Sequence, residues 1–215
     1  MSKSKIATLD SFARTRLSKT FFMRDFLFSE TAATLGLSNL PTNKALAIQV
    51  GKELCQNVLE PIQDAWGRIH VRSAYRSEEV NQAGNTLGAS CASNAANYAG
   101  HIWDVKDEQG NYGATACIVI PSYIDYYEQS GDWTSLAWWV HHHIPAYSSM
   151  YFFPQLCAFN INWYEDTQAP KNIKSYVKDP NTGHSKAILA NNIESDFYSN
   201  VEKNKRFKKC TELLK

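Results

Sequence analysis

The sequence predicts a domain that contains both helices and strands. Between residues 44 and 66, apolar side chains recur at every fourth position, which places them on one face of a helix. Apolar and polar residues alternate over Arg68–Ser73, as in a strand with one buried face. Two further apolar runs, Tyr147–Phe153 and Leu156–Trp163, are separated by a short turn and predict a hairpin.

Cap residues define two helices in the first half of the chain. Ser29 is placed to cap a short helix, and Gly36 follows its last residue. The long helix over residues 44–66 can be capped by Thr42 or by Asn43. Pro61 lies inside this helix, so we expect a kink or a break just before it.

The other segments are predicted from shorter patterns. In chain order they are an arm or short helix over residues 1–24, a helical turn at Ser77–Asn81, a polar loop at Gly84–Ala96, a strand at Gly100–Val105, a buried strand or helix start at Cys117–Ile120, and a partly helical aromatic segment at Tyr123–Trp139.

The composition indicates a chain that builds one core and is made in the cytoplasm. Of 215 residues, 44% are apolar, which suffices for a single domain with appendages. No apolar run approaches the ~18 residues of a membrane span, and no apolar signal core follows the N-terminus. The five cysteines are widely spaced and odd in number, so we expect free thiols rather than a disulfide framework.

Charge is distributed unevenly along the chain. Residues 1–24 carry a net charge of +5, residues 25–170 carry −9, and residues 171–215 carry +5. We therefore predict an acidic domain with a basic N-terminal arm and a basic C-terminal extension. The two ends are either solvated tails or segments that bind acidic neighbours. Other protein chains of an assembly are the expected partners and a membrane is not, while nucleic acid stays open even though no aromatic residues are interleaved with the basic ones.

Two short segments carry the clearest motif. Ser73–Asn81 reads SAYRSEEVN, and Asn97–Asp104 reads NYAGHIWD. Together with Phe28–Ala32 and Asn39–Pro41 they resemble, in order and spacing, the zinc D-alanyl-D-alanine carboxypeptidase family in the form common in bacteriophages. The resemblance covers about residues 26–164. It implies a single α+β domain of the hedgehog/DD-peptidase fold, in which a small antiparallel sheet carries helices on one side.

The same resemblance implies that the metal site of the family has been lost. Zinc hydrolases hold the metal with three protein ligands and leave a fourth position for water. The family's His, Asp and His ligands fall on Asn97, Asp104 and Asn160, or on Asn162 if the last register shifts by two. The position of the general base falls on Cys157. An amide oxygen is a weak zinc ligand compared with imidazole, so neither bound zinc nor hydrolysis is expected.

The resemblance also places the family's substrate-anion site on Arg76 and Asn81. In the family the arginine pairs with a substrate carboxylate, and a guanidinium can still hold an anion through two hydrogen bonds. The alternative is a structural ion pair between Arg76 and Asp104 or another acid.

Two relocated sites are weaker alternatives. One combines His101 and Asp104 with a residue of His141–His143 around a metal, but residues three apart on a strand face opposite sides. The other pairs Cys157 with His101 as a thiol nucleophile, but nothing in the sequence indicates an oxyanion hole.

The expected function is that of a non-catalytic structural or binding component of a bacteriophage particle, such as a virion or tail protein. One alternative is a metallopeptidase that cleaves D-Ala-D-Ala or L-Ala-D-Glu bonds of peptidoglycan at a shifted site. A second alternative is a soluble protein that binds a small anion in the former cleft.

Overall fold

Helices and strands are interspersed along the chain, which confirms the α+β class. The computed structural model describes residues 3–89, 91–180, 183, 188–191 and 208–214. The helices are α1 (Lys3–Ala13), α2 (Glu30–Leu35), α3 (Lys44–Leu54), α4 (Glu60–Trp66), α5 (Glu78–Thr86), α6 (Asn94–Asn97), α7 (Pro121–Ser130) and α8 (Thr134–His143). The strands are β1 (His70–Ser73), β2 (Gly113–Val119), β3 (Tyr147–Phe152), β4 (Phe159–Tyr164), β5 (Asn172–Ser175) and β6 (Ile188–Asn191). Within the described ranges, no helix is long and apolar enough to span a membrane.

The six strands form one sheet in the order β1-β2-β4-β3-β5-β6. Strands β3 and β4 are the predicted hairpin and pair antiparallel, with Tyr151 opposite Asn160. Strand β5 runs parallel to β3, and β6 runs antiparallel to β5, so the sheet is mixed rather than antiparallel throughout. Strands β2 and β3 lie on the two sides of β4, so β5 adds at the remaining edge of β3. The chain that leaves β4 therefore crosses to the free edge of β3 and runs back antiparallel to β4.

The predicted long helix is continuous over residues 44–66 but has three parts. Asn43 caps α3 by accepting a hydrogen bond from the backbone NH of Leu46 at 3.1 Å. Between α3 and α4, Cys55–Leu59 form a π-helical segment where a kink or break was predicted. Pro61 cannot donate a hydrogen bond, and the wider turn before it accommodates this without ending the helix. All six residues of the apolar stripe are buried, namely Leu46, Val50, Leu54, Val58, Ile62 and Trp66.

The chain divides into two compact units. Unit 1 comprises Met1–Glu60 and Val71–Ala116, and unit 2 comprises Pro61–His70 and Cys117–Lys215. Strand β2 begins in unit 1 and ends in unit 2.

An aromatic cluster lies in the core of unit 1. The ring of Trp103 lies 5.4 Å from that of Phe26 and 6.1 Å from that of Tyr75, and all three side chains are buried. The Trp103 Nε1 donates to the carbonyl of Thr115 at 3.2 Å. Helix α3 approaches the cluster closely at Gly51, where a Cβ would lie 3.0 Å from Trp103 Cζ3. The cluster thereby fixes the segment around Trp103 against α3.

Residues 100–105 do not form the predicted strand. The backbone NH of Ile102 donates to the carbonyl of Asn97 at 3.0 Å, which closes a tight turn, and Ala99 adopts a φ of 52°. His101–Trp103 are three consecutive buried residues, so the segment has no alternation of buried and exposed faces. The strand prediction was wrong here because apolar residues of a packed turn imitate a short strand pattern.

The core of unit 2 is built from aromatic side chains. The ring of Trp66 lies edge-on to Tyr123 at 5.5 Å and to Trp139 at 5.3 Å. Phe152 stacks on Phe159 at 4.7 Å across the β3–β4 hairpin. All five side chains are buried, so large rings contribute to the packing of α4, α7, α8 and the hairpin alongside buried aliphatic residues such as Ile62 and Leu136.

The buried cores extend past the boundaries predicted at residues 24 and 170. In unit 1, Leu17 and Met23 are buried, although both lie in the predicted basic arm. In unit 2, Ile173 and Ser175 of β5 are buried, although both lie in the predicted basic extension. The charge distribution does not mark the ends of the buried cores, because basic and buried residues alternate in these segments. Lys174, for example, is exposed between the buried residues Ile173 and Ser175. Much of the extension beyond residue 180 lies outside the described residues.

Candidate functional site

The first half of the motif leads from β1 into α5 through a short connection that is held by its backbone. The NH of Tyr75 donates to the carbonyl of Phe26 at 3.1 Å, and the NH of Arg76 donates to the carbonyl of His101 at 2.9 Å. Ser77 then caps α5. These contacts bring the two halves of the motif together within unit 1.

Asn81 is the centre of a hydrogen-bond network in unit 1. Its side chain is fully buried, on α5. Its Oδ1 accepts from Arg76 Nη1 at 3.1 Å and from Asn97 Nδ2 at 3.2 Å. Its Nδ2 donates to the carbonyl of Ala92 at 3.0 Å and to Asn94 Oδ1 at 2.9 Å. Every polar atom of this buried amide is therefore paired, and the network joins α5 to α6.

Asn97, at the first ligand position of the resemblance, presents its amide nitrogen to this network. Besides Asn81, the Nδ2 group faces the carbonyls of Ala92 at 3.1 Å and Ser93 at 3.4 Å. An amide NH₂ has donors and no acceptor. The side of Asn97 that faces the network therefore cannot coordinate a cation.

Asp104, at the second ligand position, also has structural partners. Its Oδ2 accepts from the backbone NH groups of Thr42 at 2.8 Å and Asn43 at 3.2 Å, where the dipole of α3 favours a negative charge. Its Oδ1 accepts from the Tyr75 hydroxyl at 3.1 Å. Burial, and next the Asp104 charge, raise the pKa of Tyr75, so this hydroxyl stays a donor at neutral pH. The alternative ion pair between Arg76 and Asp104 is not formed among the described residues.

A cavity of about 140 Å³ lies beside Arg76, and its walls include Tyr75, Cys91 and Glu30. Arg76 Nη1 donates to Cys91 Sγ at 3.0 Å as well as to Asn81. In the described part of the chain, Arg76 forms no ion pair. The space corresponds to a few water molecules at roughly 30 Å³ each, so it can hold a group of carboxylate size. The carboxylate of Glu30, which also lines this cavity, would repel an anion bound in it.

His101 is buried, and its position is fixed by one hydrogen bond. Its Nδ1 donates to the carbonyl of Ala74 at 2.7 Å, whereas Nε2 has no hydrogen-bond partner among the described residues. Burial, followed by the positive charge of Arg76, lowers the pKa of His101 to about 3, so the ring is neutral. The described residues contain no group of three His, Cys, Asp or Glu side chains that could hold a metal ion, at His101 or elsewhere.

The remaining predicted positions lie in unit 2. Cys157 is buried in the turn before β4 with a φ of 50°. Burial, and then the charge of Asp132, raise the pKa of its thiol well above the usual range. Asn160 lies half-buried on β4. The side-chain oxygen of Asn162 accepts a hydrogen bond from the Ser148 hydroxyl. These side chains thus have the environment of core and hairpin residues within unit 2.

The three consecutive histidines form the last turn of α8 and differ in environment. His141 is buried and hydrogen-bonds to the hydroxyl of Tyr147, while His142 and His143 are exposed. His141 therefore belongs to the hydrogen-bonded interior of unit 2.

Sequence reasoning missed two members of the network in unit 1. Cys91 and Asn94 lie in the segment predicted as a polar loop, yet both contact Arg76 or Asn81. The one local signal was Ser93, which caps α6 and so marks a short helix there.

Comparisons with known proteins do not assign the chain to a family. No family model matches the sequence, and searches of curated proteins and of solved structures give no match. The function has to be argued from the geometry of the site.

Proposed function

We propose that this chain is a non-catalytic structural or binding component of a bacteriophage particle, built on a scaffold like that of the zinc DD-peptidases. The observation that carries the proposal is the structural use of Asn97 and Asp104. At two positions where the resemblance places zinc ligands, these side chains hold α3, α5 and α6 in place.

Most of the acceptor capacity of Asp104 is already used by hydrogen bonds of the fold. Its two oxygens accept three hydrogen bonds, two of them from backbone NH groups at the start of α3. Hydrogen bonds to a charged group contribute roughly 1.5–3 kcal/mol each. A metal at this carboxylate would compete with these hydrogen bonds, and it would have fewer imidazole ligands than the family provides.

Hydrolysis would also need a general base. The resemblance assigns this role to Cys157, whose thiol is buried and has a raised pKa. Such a thiol is neutral at physiological pH and has no tendency to take a proton from water. These contacts therefore agree best with a structural or binding role, in which the scaffold is kept and the hydrolytic reaction is lost.

Zinc titration by calorimetry on the full chain tests the loss of the peptidase site. We expect no stoichiometric binding that depends on Asp104, so the natural chain and Asp104→Asn should give the same titration. A His142→Gln/His143→Gln variant is the control for weak binding by the exposed histidines. One zinc per chain that disappears in Asp104→Asn, with cleavage of peptidoglycan fragments, would contradict the proposal and support the metallopeptidase alternative.

A separate experiment tests the place of the chain in a particle. Mass spectrometry of purified phage particles should detect the chain at a fixed copy number relative to the capsid protein. Detection only in the unassembled soluble fraction would contradict the structural role.

A second candidate function is the binding of a small carboxylate in the cavity beside Arg76. It is favoured by the guanidinium that lines the cavity and forms no ion pair among the described residues. D-alanyl-D-alanine is a suitable probe, and Arg76→Lys should weaken its binding because an ammonium group cannot pair with a carboxylate in the planar two-bond geometry. Arg72→Lys, on β1, is the matched control. No saturable binding by the natural chain would remove this candidate.

A further inference from the structure

A groove of about 320 Å³ lies in unit 1, outside the motif. It is formed where residues 16–19 lie beside α3 and the π-helical segment, and its walls include Arg16, Lys19, Lys52 and Gln56. No acidic side chain is among its lining residues, all of which belong to the described part of the chain. The basic residues of the N-terminal segment and of α3 therefore meet at one concave surface.

The Arg16 side chain is held in place before any ligand binds. Its Nε donates to the carbonyl of Ser18 and its Nη2 donates to the carbonyl of Lys19, both at 2.7 Å. These two bonds use two of the five NH donors of a guanidinium. The rest of the guanidinium can donate to a ligand without a large loss of side-chain entropy.

The backbone around Arg16 is fixed as well. Gln56 Nε2 donates to the carbonyl of Leu17 at 2.9 Å, and the Ser18 hydroxyl donates to Glu60 Oε1 at 2.7 Å. Glu60 is buried, and its Oε1 accepts two further hydrogen bonds from Thr20. The backbone on this side of the groove is thus held by hydrogen bonds to α3–α4 residues that form without a ligand.

Two of the three basic side chains that line the groove are not balanced by an acidic partner within the described residues. Neither Arg16 nor Lys52 forms an ion pair there. A guanidinium with a fixed orientation next to an ammonium group matches a tetrahedral anion that offers several acceptor oxygens. The volume is at the lower end of the roughly 300–1,000 Å³ of small-molecule sites.

We infer that this groove binds a small phosphate-bearing ligand. A single phosphate or diphosphate group fits both the volume and the charge. Single-stranded nucleic acid is disfavoured because no aromatic residue lines the groove to stack on a base. The inference does not depend on the proposed function, since it uses none of the residues of the motif.

Calorimetric titration of the full chain with inorganic pyrophosphate at about 50 mM salt tests this inference, because low salt preserves interactions between exposed charges. We expect one site per chain. Lys52→Gln changes an exposed helix residue and should fold normally, and it should weaken binding about tenfold, as expected for the loss of one charge-assisted hydrogen bond. Arg16→Lys keeps the charge but loses the fixed orientation, and it should weaken binding to an intermediate extent.

Lys174→Gln is the matched control, because it removes the same charge from an exposed residue of β5 that does not line the groove. It should bind pyrophosphate like the natural chain. Equal weakening by Lys174→Gln and Lys52→Gln would overturn the inference in favour of non-specific attraction. Absence of saturable binding would overturn it too, as would tighter, Lys52-dependent binding of a single-stranded oligonucleotide.

Discussion

The imidazole of His101 is buried near the positive charge of Arg76, and it is neutral in the folded chain. In the unfolded chain this group takes up a proton near pH 6.5, whereas in the folded chain its pKa is about 3. Between these pH values the unfolded state binds more protons. The free energy of unfolding should therefore be highest above about pH 6.5 and should fall as the pH is lowered, by at most about 1.4 kcal/mol per pH unit.

Urea unfolding between pH 7.5 and 4.5 checks this prediction with the variant His101→Asn. The amide can still donate to the carbonyl of Ala74 but does not titrate. The difference in stability between the natural chain and His101→Asn should be constant above pH 7 and should change steadily below pH 6.5. His70→Asn, at an exposed position of β1, should keep the pH dependence of the natural chain. Identical pH profiles for the natural chain and His101→Asn would show that His101 is not the source of the pH dependence.

Gly84 on α5 makes a second prediction at the scale of one residue. A Cβ at this position would lie 2.7 Å from Cys91 Sγ, which is held by a hydrogen bond from Arg76. Overpacking costs about 1–3 kcal/mol, whereas Gly to Ala in a helix gains up to about 1 kcal/mol. Gly84→Ala should therefore lower the free energy of unfolding by about 1 kcal/mol.

The effect of Gly84→Ala on the free energy of unfolding should change sign once the sulfur of Cys91 is removed. In a Cys91→Ala background, Gly84→Ala should raise the free energy of unfolding, because only the helix propensity remains. Chemical denaturation of the four chains of this cycle gives the answer. A loss of stability of the same size in both backgrounds would show that Cys91 is not the obstacle.

At the scale of the element, α8 depends on the carboxylate that precedes it. Asp132 Oδ1 accepts from the backbone NH groups of Thr134 at 2.9 Å and Ser135 at 3.0 Å, and from the Thr134 hydroxyl at 2.7 Å. Its Oδ2 accepts from the Ser135 hydroxyl at 2.5 Å and from Tyr126 at 3.1 Å. Both hydroxyl residues at the start of α8 are fully buried, so they have no water to replace this partner.

Asp132→Ala should destabilise the chain by about 3 kcal/mol, combining the loss of a helix cap with buried hydroxyls that lose their acceptor. Thermal unfolding followed by circular dichroism measures the effect. Asp125→Ala removes an exposed carboxylate from the neighbouring helix α7 and should change stability by less than about 0.5 kcal/mol. Similar losses for both variants would mean that charge, and not capping, is responsible.

At the scale of the whole molecule, the N-terminal segment is part of a core and not an attached arm. Phe12 and Leu17 are buried in unit 1, and Ser18 donates to the buried Glu60. Deletion of residues 1–18 should therefore lower the free energy of unfolding by more than about 3 kcal/mol, since truncating one buried Leu alone costs about 2–5 kcal/mol. Arg14→Gln, which removes charge from the same segment at an exposed position, should be nearly neutral.

Denaturant unfolding of the truncated chain distinguishes the two interpretations of the basic N-terminus. Full stability after the deletion, with weaker association at high salt, would restore the idea of a detachable arm. The corresponding deletion after Pro170 would remove β5 from its pairing with β3, so it is expected to disturb unit 2 rather than only to shorten a tail.

The sequence by itself determined those features that depend on neighbours within a few residues. The cap at Ser29, the apolar stripe over residues 44–66 and the β3–β4 hairpin are examples, because a cap, a helix face and a hairpin each have a short period or a local turn. The same reasoning failed at residues 100–105, where packing around a tryptophan produced a strand-like pattern without a strand.

Only the tertiary structure decided the partners of the motif residues. Asp104 receives its hydrogen bonds from residues 29 to 62 positions away, and Asn81 joins donors and acceptors from four other residues. Such contacts have no sequence period, since they arise where the packing of the core brings distant backbone and side-chain groups together. The residue types of the motif could therefore suggest a lost metal site, while the use of the same residues to hold helices in place follows from long-range packing alone.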